Sequence, residues 1–163
     1  MEINQLNQDD LNIIEVVSDS LEIIIHKANN EYFNEASALF FSTRFIGHGI
    51  YAFVKTVYEY FCLNEDILVL TFIYLDKASN ELQIDIPTIY YLFFTSCMIA
   101  KKFVDDRNEN QFFNFLEIIE ESPEKFAAME KVFLESCEYE LYIMPEELEE
   151  YKENLKIVFE NLI

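Results

Sequence analysis

The residues that could do chemistry are few and scattered. The two histidines, His26 and His48, have no cysteine or serine nucleophile beside them, so each could act only as a lone base. His26 reads as a helix-end residue and His48 as a loop residue, and those placements are preferred to a catalytic role. The sequence holds no phosphate loop, no glycine-rich dinucleotide turn and no helical His-Glu-x-x-His. Asp105, Asp106 and Glu109 are close enough in sequence to suggest a calcium ion, but the glycine turn and the terminal glutamate spacing of a calcium loop are missing. They read as a solvated loop. With so little polar machinery, the sequence points to a binding module with no cofactor and no small-molecule substrate, not to an enzyme.

One charged pair calls for an explanation. In "TSCMIAKKFVDDRNE", Thr95 to Glu109, an apolar run gives way to Lys101 and Lys102, then Phe103, then Asp105, Asp106 and Arg107. Cations are scarce in this chain, with 11 Lys plus Arg against 31 Asp plus Glu and a net charge of −20. Such a surface repels phosphate backbones and anionic lipids, which argues against nucleic-acid and membrane partners. Basic protein partners remain open. The acid also keeps an aromatic-rich domain soluble.

The elements that position these residues follow from composition and periodicity. The 163 residues suit one domain with room for a flanking helix. Two glycines and three prolines are too few for the turns of a sandwich or barrel, so the fold class is all-α. Cys62, Cys97 and Cys137 sit far apart among apolar neighbours with no Cys-x-x-Cys, which predicts three buried thiols in a reducing compartment. The first residues carry acid rather than a basic flank and an apolar core, which is not a signal-peptide pattern. The longest apolar run, Ile86 to Ala100, is short for a membrane span. The expected location is intracellular, cytoplasmic and/or nuclear.

Six helical segments are predicted. Asp9 or Asp10 caps the first, with Leu11, Ile14, Val17, Leu21, Ile24 and Ile25 as its stripe. It fades in the polar "KANNEYFNEAS", and "STRFIGHGI" holds both glycines and reads as a loop. A helix follows from about Ile50 to Phe61, with Phe53, Val54, Val57 and Tyr58 on one face. Asn64 caps "ILVLTFIYLDKAS", with Glu65 and Asp66 in its first turn. From Thr88 to Val104, just after Pro87, nearly every residue is apolar, the mark of a helix surrounded by other helices. "QFFNFLEIIEE" reads as a short aromatic helix or turn. Ser122 and Pro123 open a helix whose face is Phe126, Met129, Phe133 and Cys137, and Pro145 opens a last one carrying Leu148, Tyr151, Leu155, Val158, Phe159 and Leu162.

Three of these stretches together resemble a cyclin box: "ILVLTFIYLDKAS", "TIYYLFFTSCMIAKKFVDDR" and "MEKVFLESCEYELYI". The "IYLDK" and "AKKFVDD" helix ends are most similar to those of Pho-type cyclins. The mitotic signature Met-Arg-x-Ile-Leu is absent, and the chain has no tryptophan. The resemblance covers about Phe45 to Ile143. It implies a five-helix cyclin box at 45–143, an N-terminal helix and lead-in at 1–44, and a C-terminal amphipathic helix at 144–163. It also implies a regulatory subunit that binds and activates a cyclin-dependent kinase. In that family the lysine of Ala-x-Lys-Phe, here Lys102, and the glutamate opening the fifth helix's "ME" motif, here Glu130, face the kinase. Phe103 and Phe133 are the aromatic anchors expected beside them. The alternative is a cyclin-fold or other helical module that binds a non-kinase protein or a small ligand. Lys152, Glu153 and Asn154 spell a tripeptide used as a degradation signal, but on a helix they read as a solvated face.

Overall fold

Six of the eight helices among the described residues start where a short polar side chain accepts one of the backbone N–H groups that a first turn leaves free. The structure, a computed structural model, describes residues 7–27, 34–105 and 108–162. Its helices are α1 (Gln8–Lys27), α2 (Glu35–Ala38), α3 (Ile50–Tyr60), α4 (Glu65–Ala78), α5 (Ile86–Val104), α6 (Glu109–Ile118), α7 (Pro123–Ser136) and α8 (Pro145–Leu162). A 3-10 turn at Ile46–His48 precedes α3. No strand occurs among the described residues, and the fold is an all-α bundle.

The caps are mostly asparagines. Asn34, Asn64 and Asn108 accept from the N–H groups of Ser37, Ile67 and Gln111, while Ser122 accepts from Lys125. The first helix is capped by Asn7, not by Asp9 or Asp10. Asn7 Oδ1 accepts from Asp10 N at 2.8 Å, and Asp10 accepts from Asn7 N in return. The central helix starts at Ile86, two residues before the predicted Thr88, because Asp85 and Thr88 close a capping box around Pro87. At the other ends, three helices finish in a Schellman turn whose left-handed residue is not glycine. Cys62, Glu120 and Glu138 have φ of 49°, 55° and 55°. In each case the next N–H reaches back to the third-last helical carbonyl: Leu63 to Tyr58, Glu121 to Leu116 and Tyr139 to Leu134. Gly49, at φ 75°, is the one position where a glycine is needed, letting the 3-10 turn run directly into α3.

Helix α5 is the axis of the molecule. Every residue from Thr88 to Ala100 is buried, and α3, α4 and α7 pack around it. Ser96 ties it to a neighbour, its Oγ donating to the Thr71 carbonyl of α4 at 2.8 Å, whereas the buried Thr95 hydroxyl has no hydrogen-bond partner. Below it, Phe94 stacks on Phe112 and Phe115 and meets Phe126 edge-on, so the "QFFNFL" segment forms α6 and closes one end of the core. Helix α1 packs on α3, α4 and α8. Tyr58 of α3 donates to Asp10 of α1 at 2.7 Å; burial first, then that bond, raises its pKa.

Helix α8 lies across α1 and α4. Leu155 is buried, with Leu148 and Tyr151 packed against the core. The side chains of Leu11, Val158, Phe159 and Leu162 lie outside those described. Polar contacts fix its angle. Lys152 pairs with Asp66 at the start of α4 and with Glu149 at 3.0 Å, and Lys156 reaches Glu65 at 3.1 Å. Among the described residues no helix is long and apolar enough to cross a membrane. Cys97 and Cys137 are buried as expected, but Cys62 is exposed, because its left-handed backbone turns the side chain out past the end of α3.

Candidate functional site

The last turn of α5 carries the two adjacent lysines, and they have different surroundings. Successive helical residues are about 100° apart, so neighbours cannot share one environment. Lys101 is folded back: its side chain is 12% exposed and its ammonium lies 3.5 Å from Asp105. Asp105 also closes the helix through its backbone N–H to the Lys101 carbonyl. Lys102 is exposed and has no ion-pair partner among the described residues. Both ammonium groups sit where the helix dipole favours positive charge.

Phe103 and Val104 follow, each 49% exposed. A helix buried through Ala100 therefore ends in a cation and two apolar side chains open to solvent. Asp106 and Arg107 lie outside the described residues.

Helix α7 packs on α5 and carries Glu130, which is half-buried. Its inward face is Phe126, Met129 and Phe133. Phe133 is 0% exposed, and this corrects its expected role as an anchor: a side chain wholly inside the core offers nothing to a partner. Lys102 and Glu130 form no ion pair with each other.

A second group of polar side chains went unread in the sequence. Tyr74, in "IYLDK", donates to the Leu141 carbonyl at 2.6 Å, and Lys77 donates to the Glu140 carbonyl at 3.0 Å. The motif's tyrosine and lysine thus strap the segment after α7 onto the end of α4. Asp76 accepts from Tyr151 of α8 at 3.5 Å. In the "KEN" tripeptide, Lys152 is committed to Asp66 and Glu149 rather than solvated, while Glu153 and Asn154 are exposed. Burial lowers the Lys152 pKa, but the hydrogen bonds to those two carboxylates outweigh it and leave the pKa raised.

His26 lies in the last turn of α1 and His48 in the 3-10 turn, both exposed. Among the described residues no three His, Cys, Asp or Glu side chains gather as metal ligands. The buried thiols are inert: desolvation pushes Cys97 up to about 12 and Cys137 up to about 11. What the surface offers is an exposed cation and apolar side chains on a rigid helix end, an arrangement suited to binding.

The family model of the cyclin N-terminal domain matches residues 16–142. No curated protein and no solved structure gives a match.

Proposed function

The chain belongs to the cyclin family, and from that premise we propose that it is the regulatory subunit of a cyclin-dependent protein kinase, most like the Pho-type cyclins. The observation that carries the proposal is the end of α5, where Lys102 and Phe103 stand in solvent just beyond a stretch, Thr88 to Ala100, that is buried throughout. The functional unit is the cyclin box at 45–143, flanked by the N-terminal helix and lead-in at 1–44 and the C-terminal helix at 144–163. Lys102 hydrogen-bonds the kinase segment that leads into its regulatory helix, Glu130 supports it from α7, and Phe103 packs beside them.

The mechanism is differential binding. A kinase of this class is active when its strand lysine and regulatory-helix glutamate are paired and its activation loop is displaced. A partner shifts that equilibrium only as far as it binds the active placement more tightly than the inactive one. A helix enclosed by α3, α4 and α7 does not yield to the kinase, so the kinase helix moves to it.

The test is reconstitution of the full chain with purified cyclin-dependent kinase subunits, of the Pho-type partner class and of the cell-cycle class. Complex formation by gel filtration and stimulated phosphorylation of a generic substrate support the proposal. Preference for the first class supports the Pho-type assignment. Absence of both binding and stimulation with every kinase tried refutes the regulatory role.

A further inference from the structure

The segment between α7 and α8 belongs to no helix, yet it is held in place. Lys77 donates to the Glu140 carbonyl and Tyr74 to the Leu141 carbonyl. From Glu140 to Met144 exposure alternates: Glu140, Tyr142 and Met144 are open to solvent, while Leu141 and Ile143 pack against the core. A period of two is that of extended chain lying on a surface. Pro145 reinforces it, because the residue before a proline is biased to extended backbone.

The main chain of this segment is left open. The N–H groups of residues 141–144 and the carbonyls of Tyr142 and Ile143 find no hydrogen-bond partner among the described residues. Such groups must be satisfied by water or by a second chain. The side chains beside them are large and apolar. Tyr142 is 71% exposed, more than any other large apolar side chain among the described residues, and Tyr139 and Met144 stand out beside it. Around them Glu135, Glu138, Glu140, Glu146 and Glu147 all lie in solvent, and none has an ion-pair partner among the described residues. Two lysines are near in the fold or the chain, and neither compensates them. Lys77 is committed to a carbonyl, and Lys131 on α7 forms no ion pair.

We propose that residues 138–147 dock a lysine- or arginine-rich segment of another protein, bound in extended form. Its main chain pairs with the open N–H and carbonyl groups of 141–144, as a peptide adds to the edge of a sheet. Its basic side chains meet the glutamates, with their stems and charges laid on Tyr139 and Tyr142. The uncompensated carboxylates, in a protein of net charge −20, draw cations to this face and repel an acidic peptide. The occupant is not a second copy of this chain. No stretch of these 163 residues is basic, and the only adjacent cations are Lys101 and Lys102. Nor does the docking depend on the proposed kinase contact: Glu130 lies seven residues before Cys137, about 10 Å back along α7.

The test is an amide NMR titration of the full chain with three short peptides: one alternating lysine and valine, one alternating glutamate and valine, and the lysine–valine peptide with every main-chain amide N-methylated. The last keeps the charge and side chains but has no main-chain donors. The expected result is saturable shifts centred on residues 138–147 with the first peptide, with an affinity about tenfold or more above either control and falling as salt is added. Glu140→Gln with Glu146→Gln should weaken binding about fivefold or more, and Tyr142→Ala should weaken it as well, with melting temperatures held. Glu153→Gln with Glu160→Gln makes the same change of charge further along α8 and should leave affinity intact. No saturable binding of the lysine–valine peptide, shifts centred elsewhere, equal affinity for the N-methylated peptide, or equal weakening by the Glu153 and Glu160 changes would each overturn the proposal.

Discussion

Tyr74 and Leu141, 67 residues apart, are joined by a 2.6 Å hydrogen bond from the phenol to the main-chain carbonyl. Tyr74 is completely buried, and the bond holds the segment after α7 against α4 together with the Lys77–Glu140 contact and Cys137, whose thiol lies 3.5 Å from the Tyr74 carbonyl. Tyr74→Phe removes the donor, keeps the ring and leaves the Leu141 carbonyl without that partner. The expected loss is about 1–3 kcal/mol, the cost of an unsatisfied buried acceptor. Urea unfolding checks it, and amide exchange should quicken in residues 137–144 more than in α5. A variant as stable as the parent would show that the carbonyl finds water instead.

Burial gives the fold a weakness at high pH. Desolvation raises Tyr58, Tyr74 and Tyr91 above the ordinary 10.0, Tyr74 to about 12, and raises Cys97 and Cys137 above 9.0, to about 12 and about 11. The folded state then keeps protons that the unfolded chain has already lost. Stability is full below the unfolded values and falls as pH rises from about 9 through about 12, at up to about 1.4 kcal/mol per pH unit for each proton withheld. Urea midpoints measured from about pH 8 to about pH 11 should decline monotonically over that window. A flat profile would mean that these groups titrate freely in the folded protein.

The three Schellman turns make a prediction of opposite sign. Glu138 sits at φ 55° with a side chain exposed to solvent, in a conformation that costs a non-glycine residue roughly 1–2 kcal/mol. Glu138→Gly relieves that strain, offset in part by the greater freedom of glycine in the unfolded chain. The net gain expected is about 0.5–1 kcal/mol, read as a higher melting temperature. Ala at the same position keeps the strain and should bring no such gain.

How much was legible in the sequence depended on how local the cause was. Helices α3, α4, α5 and α7 were read nearly to the residue, because a cap, a proline and an apolar stripe are all short-range signals. Asn7 was missed for the nearby aspartates because Ncap preferences among Asn and Asp are almost equal. Cys62 was misread because "FCL" looks apolar, whereas its exposure follows from a left-handed turn that composition does not encode. Phe133 was placed at the rim on motif grounds, though its spacing with Phe126 and Met129 already set it on the buried face. Lys102 could be picked out from Lys101 only through the family resemblance, since periodicity does not say which of two adjacent lysines has Asp105 within reach. Contacts such as Tyr74–Leu141 and Arg44–Glu120 join residues far apart in the chain and left no trace in any local pattern.

Those two lysines offer the sharpest test of the proposed kinase surface. Lys101→Ala removes a mostly covered side chain and its pair with Asp105, so it should lower stability by about 0.5–1 kcal/mol and change kinase affinity little. Lys102→Ala removes an exposed side chain with no ion pair among the described residues, so the melting temperature should hold. Kinase affinity should fall thirtyfold or more, corresponding to about 2–5 kcal/mol for truncating one member of a buried interfacial charge pair. Glu130→Ala should weaken binding in the same direction. Phe103→Ala should reduce affinity without unfolding the domain, whereas Phe133→Ala should cost about 3–5 kcal/mol of stability through the cavity it leaves. Calorimetric titration against the kinase that the reconstitution identifies, with thermal melts of each variant, separates the two columns of effect. If Lys101→Ala and Lys102→Ala weaken binding equally, or if Lys102→Ala leaves affinity intact, the end of α5 is only a charged helix terminus and the kinase contact lies elsewhere.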